Sequence, residues 1–174
     1  LVLVVQLELF SLVSEMRSPY TPLQDLERVF FEAAVKRFEK VANHIQFKLF
    51  DMERLPATQG FEPSSYDLLF AANVLHATDE LEEMVTNVRQ MLRLGGRFLE
   101  FEVISKDAVR IGLPMSGLPA WWVGVDPVVL GVHIQLPQWD TLLRKLDFSG
   151  VETVTPPYHA PHPEAAFASQ ALFD

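Results

Sequence analysis

The stretch Tyr66-Asp67-Leu68-Leu69-Phe70-Ala71-Ala72-Asn73-Val74-Leu75 is an almost unbroken apolar run of strand length. A strand with apolar residues on both faces must be covered on both, which is the situation inside a parallel sheet. Parallel neighbours need crossover connections, and the sequence supplies one-sided helices for them. Leu26, Phe30, Ala33, Ala34, Phe38 and Val41 recur at helical spacing opposite Glu27, Arg28, Glu32, Lys36 and Lys40, after a start signal in Thr21-Pro22-Leu23-Gln24. Asp79 can cap a second helix carrying the stripe Leu81, Met84, Val85, Val88, Met91 and Leu92, which Gly95-Gly96 would end. Trp139, Leu142, Leu143 and Leu146 mark a third over residues 137–146. Further strands are expected over 1–10, 46–51, 97–104, 151–155 and 165–172. The alternation predicts an α/β fold with a mostly parallel sheet, and the late strand pair without a helix between them predicts an antiparallel edge.

Composition bounds what such a sheet can serve. At 174 residues and 49% hydrophobic, the chain is the size of one domain with a substantial core, and it contains no repeat or domain-scale linker. A net charge of −9, from 14 Lys+Arg against 23 Asp+Glu, argues against nucleic acid and against an anionic membrane surface as partners. The absence of Cys removes disulfides, thiolate nucleophiles and zinc-thiolate sites. Residues 111–139 carry Asp126 as their sole charge, but Pro114, Pro119, Pro127 and Pro137 preclude one continuous helix, so no membrane span is expected. The start Leu1-Val-Leu-Val-Val has no basic leader region and reads as a strand, and the chain as a segment of something longer. His44, His133, His159 and His162 share no metal-ligand spacing, and neither a Gly-x-Ser-x-Gly elbow nor a Gly-x-x-x-x-Gly-Lys loop occurs.

Ligands of an open parallel sheet sit at the carboxyl ends of its strands, which here are Asp51, Asn73 to His76, and Glu102. Asp51 can accept hydrogen bonds from a sugar hydroxyl or an adenine amino group, with Met52 beside it to pack on a flat ring; the alternative is a solvated loop Asp. His76 directly follows the apolar strand, with Asn73 three residues before it and Thr78 two after. A neutral imidazole there can act as a general base, oriented by a carboxylate on the adjacent strand end. Glu102 is such a carboxylate, and Glu100 competes with it from the same face. The alternative is a histidine that satisfies loop carbonyls beside an exposed Glu.

Several segments together resemble the C-methyltransferase domain of fungal highly reducing iterative polyketide synthases. They are Phe61-Glu62-Pro63-Ser64-Ser65-Tyr66-Asp67, Ala72-Asn73-Val74-Leu75-His76-Ala77-Thr78, Asn87-Val88-Arg89, Leu94-Gly95-Gly96-Arg97, Leu118-Pro119-Ala120-Trp121-Trp122-Val123-Gly124 and Phe148-Ser149-Gly150-Val151. The resemblance implies a Rossmann-like class I core and S-adenosylmethionine as cofactor. It also implies methylation of the alpha carbon of a beta-ketoacyl chain held on an acyl carrier protein. On the family's motifs His76 falls on the catalytic histidine and Glu102, rather than Glu100, on its partner. Asp51, Met52 and Asn73 fall on cofactor-binding positions, and Trp121 and Trp122 on the acyl-chain site. The whole of 1–174 would be one methyltransferase-like domain of a larger cytoplasmic synthase, in contact with neighbouring synthase domains.

One departure stands against this. The family's first strand runs into a glycine-rich loop that lets the backbone approach the methionine part of the cofactor, yet the first glycine here is Gly60. The family's N-terminal helical lid is also missing, so the core reads as truncated or degenerate at its N-terminal side. Two readings follow: a carbon methyltransferase, or a non-catalytic pseudo-methyltransferase that packs against its neighbours in a megasynthase.

Overall fold

The computed structural model describes residues 4–6, 32, 35–40, 48, 50–52, 54–72, 74–75, 81–104, 134–155 and 164–172. Within them five strands form one sheet: β1 (Val4–Gln6), β2 (Tyr66–Ala72), β3 (Leu92–Val103), β4 (Thr153–Val154) and β5 (Glu164–Gln170), in the order β1-β2-β3-β5-β4. Two helices, α1 (Leu81–Met91) and α2 (Leu136–Lys145), and a short 3-10 turn, Pro56–Gln59, are described as whole elements, and residues 32 and 35–37 are also helical. The expected sheet is therefore present. β1, β2 and β3 run parallel, with Val4 opposite Leu69 and Leu69 opposite Phe98. β5 is antiparallel to β3 and lies between it and β4, which is antiparallel to β5 in turn.

Period-2 alternation assigns the faces. Phe98, Glu100 and Glu102 of β3, and Ala165, Phe167 and Ser169 of β5, are buried on one side, while the residues between them are half-buried. Both helices lie over that buried side. Met84, Val85, Val88 and Met91 of α1 and Trp139 and Leu143 of α2 join the same core as Leu69, Phe98, Phe148 and Phe167. Trp139 tilts against Phe167 at a ring-centroid distance of 5.5 Å, and Phe148 against Phe98 at 5.8 Å. Lys145 bridges to Glu82 at 2.7 Å across the helix pair.

Three expectations need adjustment. The strand expected over 66–75 ends at Ala72, leaving Val74 and Leu75 in the turn beyond it. The helix expected to end at Gly95-Gly96 ends at Met91, and Leu92 already opens β3. Its last carbonyls explain this: Ser64 N–H donates to Gln90 O and Ser65 N–H to Met91 O, so the loop before β2 satisfies the helix end, and Leu92 then falls opposite Tyr66. The glycines serve the strand instead. A Cβ on Gly96 would stand 2.9 Å from Arg93 O and 3.0 Å from Tyr66 O, a distance only a bare backbone tolerates. The expected strand over 46–51 is not found at its described residues, since Lys48, Phe50 and Asp51 stand outside the five strands. Of the helix signalled by Thr21-Pro22, residues 32 and 35–37 are described and are helical, while its start lies outside the described residues.

Candidate cofactor and catalytic site

At the carboxyl end of β3, Glu102 is 1% exposed, and its Oε1 accepts hydrogen bonds from Val74 N–H and Leu75 N–H, both at 3.0 Å. β2 and β3 are parallel neighbours, so the end of one brings its side chain to the turn leaving the other. That turn leads directly into His76. The exposed-Glu alternative therefore does not hold for either acid, because Glu100 is also fully buried. Glu100 does not share the bonds to the turn. Burial, and secondarily the neighbouring Glu102, push its carboxyl well above the ordinary value of 4.5, and among the described residues neither of its oxygens has a hydrogen-bond partner.

The second part of the site is the segment at Asp51. Asp51 is half-buried, and its backbone is held by one side chain: its N–H donates to Gln59 Oε1 at 2.8 Å, and Gln59 Nε2 donates back to Asp51 O at 2.7 Å. The same Nε2 reaches Arg54 O at 3.0 Å. One residue on, Met52 is buried within the core, and its carbonyl accepts from Asn87 Nδ2 of α1 at 2.9 Å. Phe50 packs edge-on against Phe61 at 4.7 Å, and Lys48 Nζ lies 4.0 Å from the Phe61 ring centroid. Gln59 and Asn87 were not singled out as site residues by sequence. Each acts on main chain 8 and 35 positions away, and such bonds leave no periodic trace. Asn73, His76, Trp121 and Trp122 lie outside the described residues. Among the described residues no group of acids and histidines could hold a metal ion, and no helix is long and apolar enough to cross a membrane.

A mostly parallel sheet that closes with an antiparallel strand, with side chains gathered at the strand ends, defines the Rossmann-like class of methyltransferases. The chain belongs to the methyltransferase domain family, whose model matches residues 9–98. The likeness reaches individual proteins. It is 48% identical over 167 residues to the hybrid PKS-NRPS synthetase prlS of a fungal species, covering 95% of this chain but 4% of that protein. Among solved structures, the trans-methyltransferase CalH, in complex with SAH, is 32% identical with a TM-score of 0.75, over 82% of this chain and 40% of that one. The CurJ carbon methyltransferase is 27% identical with a TM-score of 0.72, over 84% of this chain and 40% of that one. The resemblance to the carbon-methyltransferase domains of fungal polyketide synthases thus holds, and S-adenosylmethionine is the cofactor of the family.

Proposed function

We propose that this domain methylates the alpha carbon of a beta-ketoacyl chain presented on an acyl carrier protein, within a multidomain, cytoplasmic polyketide synthase. The observation that carries the reading is the grip of buried Glu102 on the main chain of Val74 and Leu75, the two residues that lead into His76. A carbon between a ketone and a thioester is acidic enough for a modest base, so neutral His76 takes its proton and Glu102 steadies the segment that carries the resulting imidazolium. S-adenosylmethionine, when bound, supplies an electrophilic methyl group to the enolate. Asp51 and Met52 meet the adenine, Asn73 borders the cofactor at the end of β2, and Trp121 and Trp122 line the apolar path of the acyl chain. What supports the adenine assignment is that side-chain amides hold the main chain of Asp51 and the carbonyl of Met52, which fixes the turn that would meet the base.

A second reading rests on a different observation. β1 takes the place beside β2 from which a cofactor loop would spring, and no glycine follows it before Gly60. This favours a pseudo-methyltransferase whose role is to pack against neighbouring domains. Calorimetric titration with S-adenosylhomocysteine separates the two: saturable binding supports the catalytic reading, and no binding by a folded protein supports the other. In the full-length protein, His76→Ala is expected to abolish methyl transfer and leave cofactor affinity within about threefold, as for removal of a group that acts on the substrate. Loss of cofactor binding instead would make His76 a binding residue.

A further inference from the structure

The adenine reading of Asp51 leaves open what fixes that residue, and the structure offers an answer in two side chains to which nothing so far assigns a role. An acid that selects adenine must hold its carboxylate in one place, and Asp51 opens a turn outside the five described strands, its carbonyl accepting from Arg54 N–H at 3.2 Å. Gln59 holds that turn as a ladder rung would. Its amide accepts from Asp51 N–H at 2.8 Å and donates to Asp51 O at 2.7 Å, the two-way exchange that an opposing residue makes in an antiparallel sheet. The same Nε2 donates to Arg54 O at 3.0 Å, tying the far side of the turn to the same point.

Gln59 is itself placed by rigid surroundings. It ends the 3-10 turn Pro56–Gln59, and Gly60 follows in the left-handed region with φ of 75°, a conformation that favours glycine. Gly60 N–H closes on Ala57 O at 3.2 Å, and Lys48 Nζ donates to Gly60 O at 2.5 Å. On the other side of Asp51, the Met52 carbonyl is held by Asn87, which is 1% exposed on α1. A buried amide that donates to a main-chain carbonyl is costly to replace, since its partner would be left without a donor.

We propose that Gln59 is a positioning residue for cofactor selection, which with Asn87 holds the Asp51-Met52 turn where Asp51 meets the adenine amino group. This rests on the adenine reading above. Gln59 touches no cofactor atom in this account. It acts through the main chain of Asp51, so its removal should blur recognition of the base more than it weakens the fold.

The test uses the full-length protein and two probes, S-adenosylhomocysteine and its analogue with the adenine amino group replaced by a carbonyl oxygen, titrated calorimetrically into wild type, Asp51→Ala, Gln59→Ala and Gln59→Glu. Wild type should prefer the adenine compound. Gln59→Ala should weaken it about tenfold, the loss of roughly one net hydrogen-bond pair, and should narrow the preference between probes, with far-ultraviolet circular dichroism unchanged. Gln59→Glu, which keeps an acceptor but loses the amide donor, should fall between the two. If Asp51→Ala weakens the adenine probe while Gln59→Ala leaves both affinities unchanged, the positioning role is overturned and the adenine reading stands. If Asp51→Ala changes neither affinity, the adenine reading fails and takes the inference with it. Equal weakening of both probes by Gln59→Ala would show general loosening, and would also overturn the role in selection.

Discussion

Glu100 and Glu102 stand two residues apart on β3, face the same way, and are both withdrawn from water. Glu102 accepts from two backbone N–H groups, while the oxygens of Glu100, and the hydroxyl of Ser169 on β5, have no hydrogen-bond partner among the described residues. A carboxyl in that position is easier to keep as the neutral acid, and its titration is raised by burial first and Glu102 second. The sign follows from proton uptake. With the folded value above the unfolded one, the folded state keeps a proton that the unfolded state releases, so this contribution is full below the unfolded value and is lost as pH rises through the folded one. The difference between the denaturant midpoints of wild type and Glu100→Gln should therefore move against the wild type as pH rises from just above 4.5. Glu100→Leu should also raise stability at neutral pH by about 1–3 kcal/mol, the usual cost of an unsatisfied buried polar group. A midpoint for Glu100→Leu below that of wild type at pH 7 would contradict this. Sequence alone shows two acids on one face of a strand; which one finds donors depends on where the neighbouring strand ends.

Elements were legible where a period reports directly on burial. The stripe of α1, the alternation along β3 and the Trp139–Leu143 face of α2 all appear where the pattern placed them. Element ends were less legible, because they are decided by partners far away in sequence. Gly95-Gly96 reads as a helix stop, yet α1 stops four residues earlier than Gly95 because Ser64 and Ser65 donate to its last carbonyls. Of the strand expected over 46–51, the described residues 48, 50 and 51 lie outside the five strands, and the main chain of Asp51 is bonded by the Gln59 side chain. Two substitutions test the packing. Gly96→Ala puts a methyl group 2.9 Å from one backbone oxygen and 3.0 Å from another, and should cost about 1–3 kcal/mol in denaturant unfolding. Trp139→Ala empties the space between α2 and Phe167 and should cost about 3–5 kcal/mol in denaturant unfolding.

At the scale of the whole molecule, the ion pairs among the described residues are peripheral. Asp67–Arg93, Asp140–Arg144, Glu82–Lys145 and Arg97–Glu152 all join partly or fully exposed side chains. Such pairs contribute little, so raising NaCl from about 0.1 M to about 1 M should move the thermal midpoint by no more than a few degrees. Ligand linkage should be larger. S-adenosylhomocysteine at about one hundred times its Kd should stabilise a domain with a formed site by about 2.7 kcal/mol, and an unmoved melting curve would support the pseudo-methyltransferase reading. The family was legible before the fold, because its motifs are matched by residue identity, which does not depend on hydrophobic period.

The outer strand β4 is two residues long, both exposed, and ends against Thr155, whose N–H bonds to Ala166 O. Pro156 and Pro157 come next in the sequence and have no N–H to offer. A stranger's strand seeking to extend the sheet on this side would find too short a template, flanked by Glu152 on one hand and two prolines on the other. This edge of the sheet is therefore a poor site for a second copy to add a strand, a protection against aggregation that is independent of any chemistry at the carboxyl ends of the parallel strands.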